Sequence, residues 1–424
     1  MDMTIIMTIT VMVILLFLSA PIAVAIGLGV VTGLYVGDIP PEFMMEKMVS
    51  SLDSFPLLAV PFFILAGEVM QKGTMADALL RVSRCLVGHV PGGMAHVSVL
   101  TSMFYGALSG SSPATVAGVG GIMIPAMEKD GYPKDYSTAV NVSAGCLGVM
   151  IPPSVPLIIY GAAVGVSVSD LFIAGILPGV LVGIFLMITA YIIVRVKKID
   201  IAFPRATLGE TLRAVWAAKH ALLVPLIVLG GIYGGIFTPT EAGAVAAVYA
   251  LCVEGILLRA LTWRKLYEIF KSAAITNATI FIIMSVACAL GQLLLLYNVP
   301  DSISGLLSGV SHNKYLLLAV IILVMLIAGT FMEALANIII LAPLMFPVIK
   351  AAGIDPIHFG IIMIVSAAMG FLTPPVGVNL FVGCGISKMS IEALSLAVLP
   401  YLLAMLLALF VLVAFPQISL VLLG

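Results

Sequence analysis

A proline-rich pattern that occurs twice limits the possible folds of this chain more than any other feature. The first copy reads GVMIPPSVPLIIYG (148–161) and the second reads GFLTPPVGVNLFVG (370–383), 222 residues later. The same offset relates Pro125 to Pro347 and Gly131 to Gly353. Because Gly and Pro mark specific backbone turns, we expect one backbone path to occur twice in the structure.

The two copies lie in a chain that is too apolar for a soluble protein. Hydrophobic residues make up 62% and charged residues 9% of the sequence, whereas soluble domains carry about 25% charged residues. Stretches of about 20 apolar residues are typical of membrane-spanning helices. The chain is therefore predicted to be an all-α polytopic membrane protein in a lipid bilayer.

Charge and cysteine content exclude several other functions. The net charge is −1, which gives no support for binding nucleic acid. The five cysteines are far apart in the sequence, without the CxxC or Cys/His spacing of a metal site. The apolar N-terminus lacks a basic segment, so it is predicted to be a retained first span.

The repeat is predicted to be inverted. Each half contains an odd number of predicted crossings, so the second half must enter the membrane from the opposite side. If the polar linker 195–219 is cytoplasmic, the only Lys and Arg residues on the outer side are Lys47, Lys314 and Lys350, as the positive-inside rule requires. Both termini are then periplasmic. Inverted repeats are typical of secondary transporters, whose sites lie at interrupted helices near the membrane midplane.

Four interruptions are predicted within apolar segments. We call them the first tip (109–115, SGSSPAT), the first break (150–156, MIPPSVP), the second tip (328–337, AGTFMEALAN) and the second break (371–379, FLTPPVGVN). Non-helical backbone at membrane depth is tolerated where it lines a cavity or is buried in protein. Free carbonyl and hydroxyl oxygens suit Na⁺, and helix N-termini attract carboxylates. This pattern favours a Na⁺-driven transporter of organic anions.

Some polar residues of these segments have simpler explanations. Ser, Gly and Thr also serve close helix packing, and Glu333 could cap backbone N–H groups of the second tip. An intramembrane carboxylate is nevertheless a functional candidate, and Asn337 and Asn379 are predicted to line the site beside it. Three further polar residues stay unassigned: Glu68, Asn141 and Gln292.

The sequence predicts a division into scaffold and moving parts. In repeat 1, residues 1–70 are scaffold, 71–90 an amphipathic arm, and 91–194 transport domain, with a hairpin at 91–127 and a broken helix at 137–165. The linker follows. In repeat 2, residues 220–300 are scaffold and arm, and 301–424 transport domain, with a hairpin at 315–350 and a broken helix at 358–386.

The chain resembles the large membrane subunits of tripartite ATP-independent periplasmic (TRAP) transporters. The resemblance rests on GALSGSSPATVAGVGGIMIP, GVMIPPSVPLIIYG, GIFTPTEAGAVAAVYAL and GFLTPPVGVNLFV, and it runs nearly end to end. It implies a bacterial inner-membrane protein that takes up an organic acid with Na⁺ by an elevator movement. It also implies two partners: a small membrane subunit and a periplasmic substrate-binding protein.

The resemblance further implies the positions of the sites. One Na⁺ site would involve Ser109, Gly110, Ser111 and Ser112, with Gly145 and Gly148. A second Na⁺ site would involve Gly329, Thr330 and Glu333, with Gly370 and Thr373. The organic acid would lie between the tips, near Ser112, Thr115, Ser154, Asn337 and Asn379.

Two other functions are considered. A single-component Na⁺-coupled carboxylate symporter or exchanger of similar architecture would need no binding protein. A membrane serine protease using Ser109 or Ser111 would need a general base within hydrogen-bond distance. Because no His falls in the core of a predicted span and no intramembrane Asp pair occurs, the chain is not predicted to be an enzyme.

Overall fold

The computed structural model describes residues 3–18, 20–199, 201, 204–299, 313–331, 334–374 and 377–423. All regular secondary structure within these ranges is helical. Glu333 lies outside the described residues, as do Pro375 and Val376 of the second break.

The first half of the chain forms helices that differ greatly in length. They are α1 (Met3–Phe17), α2 (Ile22–Val36), α3 (Pro41–Leu52), α4 (Ala59–Lys72), α5 (Met75–Val87), α6 (Gly93–Ser109), α7 (Ser112–Thr115), α8 (Gly121–Lys129), α9 (Lys134–Ala144), α10 (Leu147–Met150), α11 (Val155–Val164) and α12 (Val168–Val196). A π-helical segment, Val116–Gly120, joins α7 to α8.

The second half repeats the later part of this order. Its helices are α13 (Leu208–Ala217), α14 (Lys219–Tyr233), α15 (Pro239–Cys252), α16 (Trp263–Leu296), α17 (Lys314–Phe331), α18 (Ala334–Ala351), α19 (Pro356–Gly370), α20 (Val378–Ser387), α21 (Ile391–Ala414) and α22 (Gln417–Leu420). A π-helical segment, Val253–Leu257, follows α15 directly.

The helix order confirms an all-α polytopic membrane fold built from two repeats. In each repeat, a helical hairpin precedes a broken helix and a long span. The described residues include six helices long and apolar enough to cross a membrane, or up to eight spans if two bent helix pairs count as one each. The first broken helix is one of these pairs, with a bend of 41° between Lys134–Met150 and Val155–Val164.

Local sequence explains where several helices begin. Thr238 caps α15: its Oγ1 accepts the Glu241 N–H (3.3 Å) and the Glu241 carboxylate accepts the Thr238 N–H (2.8 Å). TPTEAG therefore forms the capping box that its spacing predicts. Pro239 fits at the first helical position because its missing N–H has no partner there anyway.

Burial differs between the broken helices and the long spans. Every residue of α19 from His358 to Gly370 is buried, so the second broken helix lies inside the protein. By contrast, α21 exposes one apolar face, on which Leu403 is 59% and Phe410 is 70% exposed. Such a face suits contact with lipid tails, because hydrocarbon carries no penalty for apolar side chains.

The helix α5, which we call the arm helix, is amphipathic. Met75, Leu79 and Val82 are buried on one face, while Asp77 and Arg81 are exposed on the other. This matches the amphipathic pattern predicted for 71–90. The division into scaffold, arm and transport domain concerns movement and stays a prediction.

Candidate functional site

The first tip ends one helix and begins another inside the protein. Gly110 adopts a left-handed conformation (φ +59°), and its N–H closes α6 on the Gly106 carbonyl at 2.9 Å. This φ favours glycine, which has no Cβ to clash. Ser111 is extended (φ −137°), and α7 begins at Ser112 with Pro113 in its first turn. The tip therefore presents the N-terminus of a helix to the interior.

Two hydroxyl groups and one carbonyl group of the first tip form a compact oxygen cluster. Ser109 Oγ lies 3.0 Å from Thr115 Oγ1, and Thr115 Oγ1 donates to the Ser111 carbonyl at 2.8 Å. Ser109 is 9% exposed and Thr115 is fully buried. These are neutral, hard oxygen atoms, the type of ligand that suits an alkali or alkaline-earth cation better than a transition metal.

The first tip packs directly on the chain around the first break. A Cβ on Gly148 would overlap Thr115 Oγ1 and the Ser111 carbonyl, and a Cβ on Gly145 would approach the Ser112 carbonyl at 3.3 Å. On the other side, a Cβ on Gly110 would lie 3.3 Å from the Pro153 carbonyl. Glycine at these positions allows two backbones to approach closely. The structure thus brings together all residues predicted for the first Na⁺ site.

Ser154 closes the first break. It is extended (φ −133°), its hydroxyl donates to the Val149 carbonyl at 2.6 Å, and α11 begins at Val155. Its hydroxyl therefore satisfies a carbonyl that the interrupted helix leaves free.

The second tip also contacts the chain just before the second break at a pair of glycines, Gly329 and Gly370. A Cβ on Gly370 would lie 2.8 Å from the Gly329 carbonyl oxygen and 2.9 Å from its Cα. Thr373 Oγ1 donates to the Met369 carbonyl at 2.9 Å, and Thr330 Oγ1 donates to the Ile327 carbonyl at 2.7 Å. Four of the five residues predicted for the second Na⁺ site are described, and Gly329 and Gly370 are in contact.

Asn379 connects the second repeat to the first tip. Its Nδ2 donates to Ser112 Oγ at 2.8 Å and to the Val142 carbonyl at 3.2 Å, and the side chain is fully buried. Nearby, Cys146 Sγ donates to the Ala368 carbonyl at 3.2 Å. Residues 146 and 368 are related by the repeat offset, so the axis that relates the two halves passes close to this contact.

Asn337 is buried within the second hairpin. Its Nδ2 donates to the Met325 carbonyl at 3.0 Å. The Oδ1 atoms of Asn337 and Asn379 are both buried without a hydrogen-bond partner among the described residues. Buried polar atoms without partners are uncommon in folded proteins, which marks these two amide oxygens as available for a ligand.

A cavity of about 330 Å³ lies beside the first tip, a size at the lower end for small-molecule sites. Backbone and side chains of Ser109 to Ala114 form one wall. Another part of the lining belongs to α4 and α16 and carries four polar side chains: Glu68, Gln71, Thr276 and Thr279. Of the five residues predicted to bind the organic acid, Ser112 is in this lining.

The polar wall on α4 and α16 goes beyond the sequence prediction, which gives no role to Glu68 and does not include Gln71, Thr276 or Thr279. Their signal in the sequence is weak, because a Thr pair three residues apart in a long apolar helix often bonds its own backbone. Thr279 does so here, donating to the Ile275 carbonyl at 2.9 Å.

Glu68 is held by neighbours on two helices. Its Oε1 accepts from Ser272 Oγ at 2.9 Å, and its Oε2 lies 3.4 Å from Lys72 Nζ. Lys72 in turn donates to the Glu268 carbonyl at 3.2 Å. The Lys72 ammonium reduces the negative field that Glu68 would otherwise place on the cavity.

Two solved transporter structures share the fold of this chain. The YdaH transporter of Alcanivorax borkumensis has a TM-score of 0.63 and 16% identity, with 89% of this chain and 88% of that chain covered. Neisseria gonorrhoeae MtrF, whose structure is described as illuminating a class of antimetabolite efflux pumps, has a TM-score of 0.58 and 14% identity over 88% and 82% of the two chains. This chain has the polytopic helical fold of these two proteins.

Sequence comparison places the chain within one transporter family. Residues 9–418 match the family model "Tripartite ATP-independent periplasmic transporter, DctM component". The chain belongs to this DctM family, which confirms the resemblance. It is a transporter component and not an enzyme.

Individual relatives carry different substrate names. The C4-dicarboxylate large permease protein DctM of Pseudomonas aeruginosa is 43% identical, with 89% of this chain and 88% of the relative covered. The sialic acid permease SiaM of Vibrio cholerae is 35% identical over 90% and 89%. The isethionate permease DctMQ of Oleidesulfovibrio alaskensis is 44% identical over 95% of this chain, which spans only 64% of that relative's length.

Proposed function

We propose that this chain is the large membrane subunit of a Na⁺-coupled importer of an organic acid, and that it works by an elevator movement. The observation that carries the proposal is the buried oxygen cluster of the first tip, packed through Gly148 on the chain before the first break. A cation bound at this cluster would hold the tip and the adjoining helix in one arrangement. Ion binding would therefore prepare the site for the second ligand.

The ion is proposed to be Na⁺, at two or more sites. The first site would use Ser109, Gly110, Ser111 and Ser112 with Gly145 and Gly148, and the second would use Gly329, Thr330 and Glu333 with Gly370 and Thr373. The described residues contain no group of three or more His, Cys, Asp or Glu side chains that could hold a metal ion. Neutral hydroxyl and carbonyl oxygens suit a hard cation of low charge, which must leave again in each cycle.

The organic acid is proposed to bind in the 330 Å³ cavity at Ser112. Thr115, Ser154, Asn337 and Asn379 do not line this cavity and are proposed to complete the site when the tips move. Residues Ser112 to Ala114, where α7 begins, line this cavity, and a helix N-terminus attracts a carboxylate or sulfonate. Neither Lys nor Arg is in the cavity lining that the structure describes. The anion would thus be held by dipoles and hydroxyl groups. The relatives' names, with C4-dicarboxylate, sialic acid and isethionate, support an organic anion.

Two partners are proposed. The word "tripartite" in the family description supports two further components, a small membrane subunit and a periplasmic substrate-binding protein. The DctMQ relative supports the membrane partner, because it is longer than this chain and its name joins two components. The complex would lie in the bacterial inner membrane, with both termini of this chain in the periplasm.

Uptake into proteoliposomes tests the proposal. Vesicles would contain this chain with its small subunit, and the binding protein and radiolabelled acid would be added outside, with an inward gradient of either Na⁺ or K⁺. We expect uptake only with Na⁺ and the binding protein together. Uptake with Na⁺ but without the binding protein would identify a single-component symporter, and equal uptake with K⁺ would reject Na⁺ coupling.

A further inference from the structure

Glu254 is a buried carboxylate outside the ion and substrate sites. It lies in the π-helical segment after α15 and has no solvent exposure. Its Oε1 accepts the backbone N–H groups of Thr74 (2.8 Å) and Met75 (3.0 Å), and its Oε2 accepts from the Thr74 hydroxyl at 3.3 Å. A buried charge is costly unless it is hydrogen-bonded, so these bonds fix the position of both partners.

These bonds give the arm helix an N-terminal cap from a distant part of the chain. The arm helix has no cap from its own side chains, because Thr74 donates its hydroxyl to Glu254 and accepts no helix N–H. Caps are usually local, as in the Thr238–Glu241 box. A carboxylate at a helix N-terminus also interacts favourably with the helix dipole. The first turn of the arm helix is thus bound to the end of α15.

Gly73 lies directly against the Glu254 carboxylate. Any Cβ at this position would overlap the Glu254 carboxylate. The φ of Gly73 is −89°, so glycine is not needed there for a left-handed backbone. Its small size serves the contact with Glu254, and the link between α4 and the arm helix is closely packed.

The arm helix is also fixed along its length. Ala78 and Val82 pack in a separate apolar cluster with Ala218, and Ala214 and Leu222 contact the same cluster. Ala214 lies in α13, Ala218 lies at the junction of α13 and α14, and Leu222 lies in α14. All three are in the second half of the chain. The arm helix therefore contacts the proposed scaffold through Glu254 at its first turn and through Leu222 of α14 at its middle. Ala214 and Ala218, which pack beside Leu222, belong to the linker 195–219.

The C-terminal end of the arm helix is followed by a turn that is held by local hydrogen bonds. Gly92 is left-handed (φ +74°) and follows Pro91 in the turn into α6. The hydrogen bonds of this turn are local: Val90 N–H to the Val87 carbonyl (3.2 Å) and Ala95 N–H to the Gly92 carbonyl (2.9 Å). Local bonds can persist while the two helices change their mutual angle.

We infer that Glu254 is a positioning residue that binds the arm helix rigidly to the scaffold, so that the chain bends at residues 88–92 and not at 73–74 when the first hairpin moves. The location of the hinge rests on the elevator movement proposed above. The rigid attachment itself does not, because it follows from contacts within one arrangement of the protein.

Distance measurements between spin labels test this inference. The labels would be introduced as encoded amino acids, because the chain has five native cysteines. Exposed positions exist on each part: Asp77 on the arm helix, Val248 on α15 and Ile122 on the first hairpin. The complex would be studied in lipid nanodiscs with Na⁺ and with K⁺. We expect the 122–248 distance to shift between the two ions and the 77–248 distance to stay constant and narrow.

Two variants should loosen the attachment by different routes. Glu254→Gln removes the charge that strengthens the bonds to Thr74 and Met75, and Gly73→Ala displaces the carboxylate without altering it. We expect each to broaden the 77–248 distribution about twofold, and to lower the maximal uptake rate about tenfold with the Na⁺ half-saturation unchanged. Glu241→Gln is the matched control on the same helix, at an exposed local cap, and should change neither.

The outcomes separate this inference from the proposed function. A narrow 77–248 distribution in both variants would overturn the role of Glu254, even if uptake is Na⁺-coupled. A wild-type 77–248 distance that shifts as much as the 122–248 distance would overturn the hinge at 88–92. If the 122–248 distance stayed constant during Na⁺-driven uptake, the elevator movement and its hinge would be rejected, while broadening in the variants would still support the rigid attachment.

Discussion

The two tips each meet the chain before a break at a glycine but carry different chemistry. Gly148 and Gly370 are related by the repeat offset, and each lets a break approach a tip so closely that a Cβ would overlap it. The side chains differ at equivalent positions: Ser112 corresponds to Ala334, and Thr115 corresponds to Asn337. The repeat therefore preserves the path of the chain more strictly than the polar groups along it, and the two ion sites proposed here should not be equal.

The largest effect is expected from adding a methyl group at the shared glycines. Gly370→Ala would place its Cβ against the Gly329 backbone, which cannot move aside, so we expect loss of uptake and destabilisation by about 1–3 kcal/mol. Gly148→Ala should be at least as severe, because its Cβ would lie 2.6 Å from the Ser111 carbonyl oxygen and would also overlap Thr115 Oγ1. Thermal unfolding and Na⁺-driven uptake would be measured. Gly121→Ala, with open space at its Cβ, is the control, and equal tolerance at all three positions would contradict the close contact at both glycines.

A second prediction concerns the ion site in the first tip. Thr115→Val keeps the side-chain shape but removes the hydroxyl that contacts Ser109 and the Ser111 carbonyl. Thr115 is proposed for the organic-acid site, but its hydroxyl holds Ser109 and the Ser111 carbonyl of the first Na⁺ site in place. Losing about 1.4 kcal/mol of this support should raise the Na⁺ concentration for half-maximal uptake about tenfold. Thr189→Val on α12, where the hydroxyl bonds its own helix, should leave that concentration unchanged. A Thr115→Val variant with normal Na⁺ dependence would show that this hydroxyl does not contribute to Na⁺ binding.

A third prediction compares two buried asparagines. Asn379 links the repeats, whereas Asn141 bonds Ser98 Oγ (2.6 Å) and the Ser137 carbonyl (2.8 Å) within the first repeat. Each substitution by Ala leaves partners unpaired and should cost about 1–3 kcal/mol in the free energy of unfolding. Asn379→Ala should also change the cooperativity of uptake with Na⁺, measured as a Hill coefficient, while Asn141→Ala should not. The same Hill coefficient in both variants would show that the link between repeats carries no coupling.

The smallest effect is expected at the part of the cavity lining that α4 and α16 form. Glu68→Gln keeps the bond to Ser272 possible and removes a partly exposed ion pair with Lys72, a type worth about 0–1 kcal/mol. We expect the KM for the organic acid to change by a few-fold at most, with the Na⁺ half-saturation unchanged. Ser51→Ala, outside the cavity lining, is the control. A shift in Na⁺ dependence would place Glu68 in the ion-binding machinery instead.

The repeated fold was predictable because glycine and proline report backbone geometry directly. The contacts of Gly148 and Gly370 with the tips were expected from the family resemblance, and the repeat offset relates one contact to the other. The wall formed by Gln71, Thr276 and Thr279 was not predictable, because it depends on which faces of α4 and α16 meet the tip. Asn379 shows the same limit: its sequence position marks it as functional, but its contact with Ser112 joins residues 267 positions apart.

The cavity beside the first tip has a consequence for inhibition. One of its walls belongs to the part of the chain proposed to move, and the other belongs to α4 and α16, which are proposed to stay in place. A small molecule that filled this space and contacted both walls would act as a wedge between them. It would stop the transporter by preventing one part from sliding past the other, with or without competition for the ion.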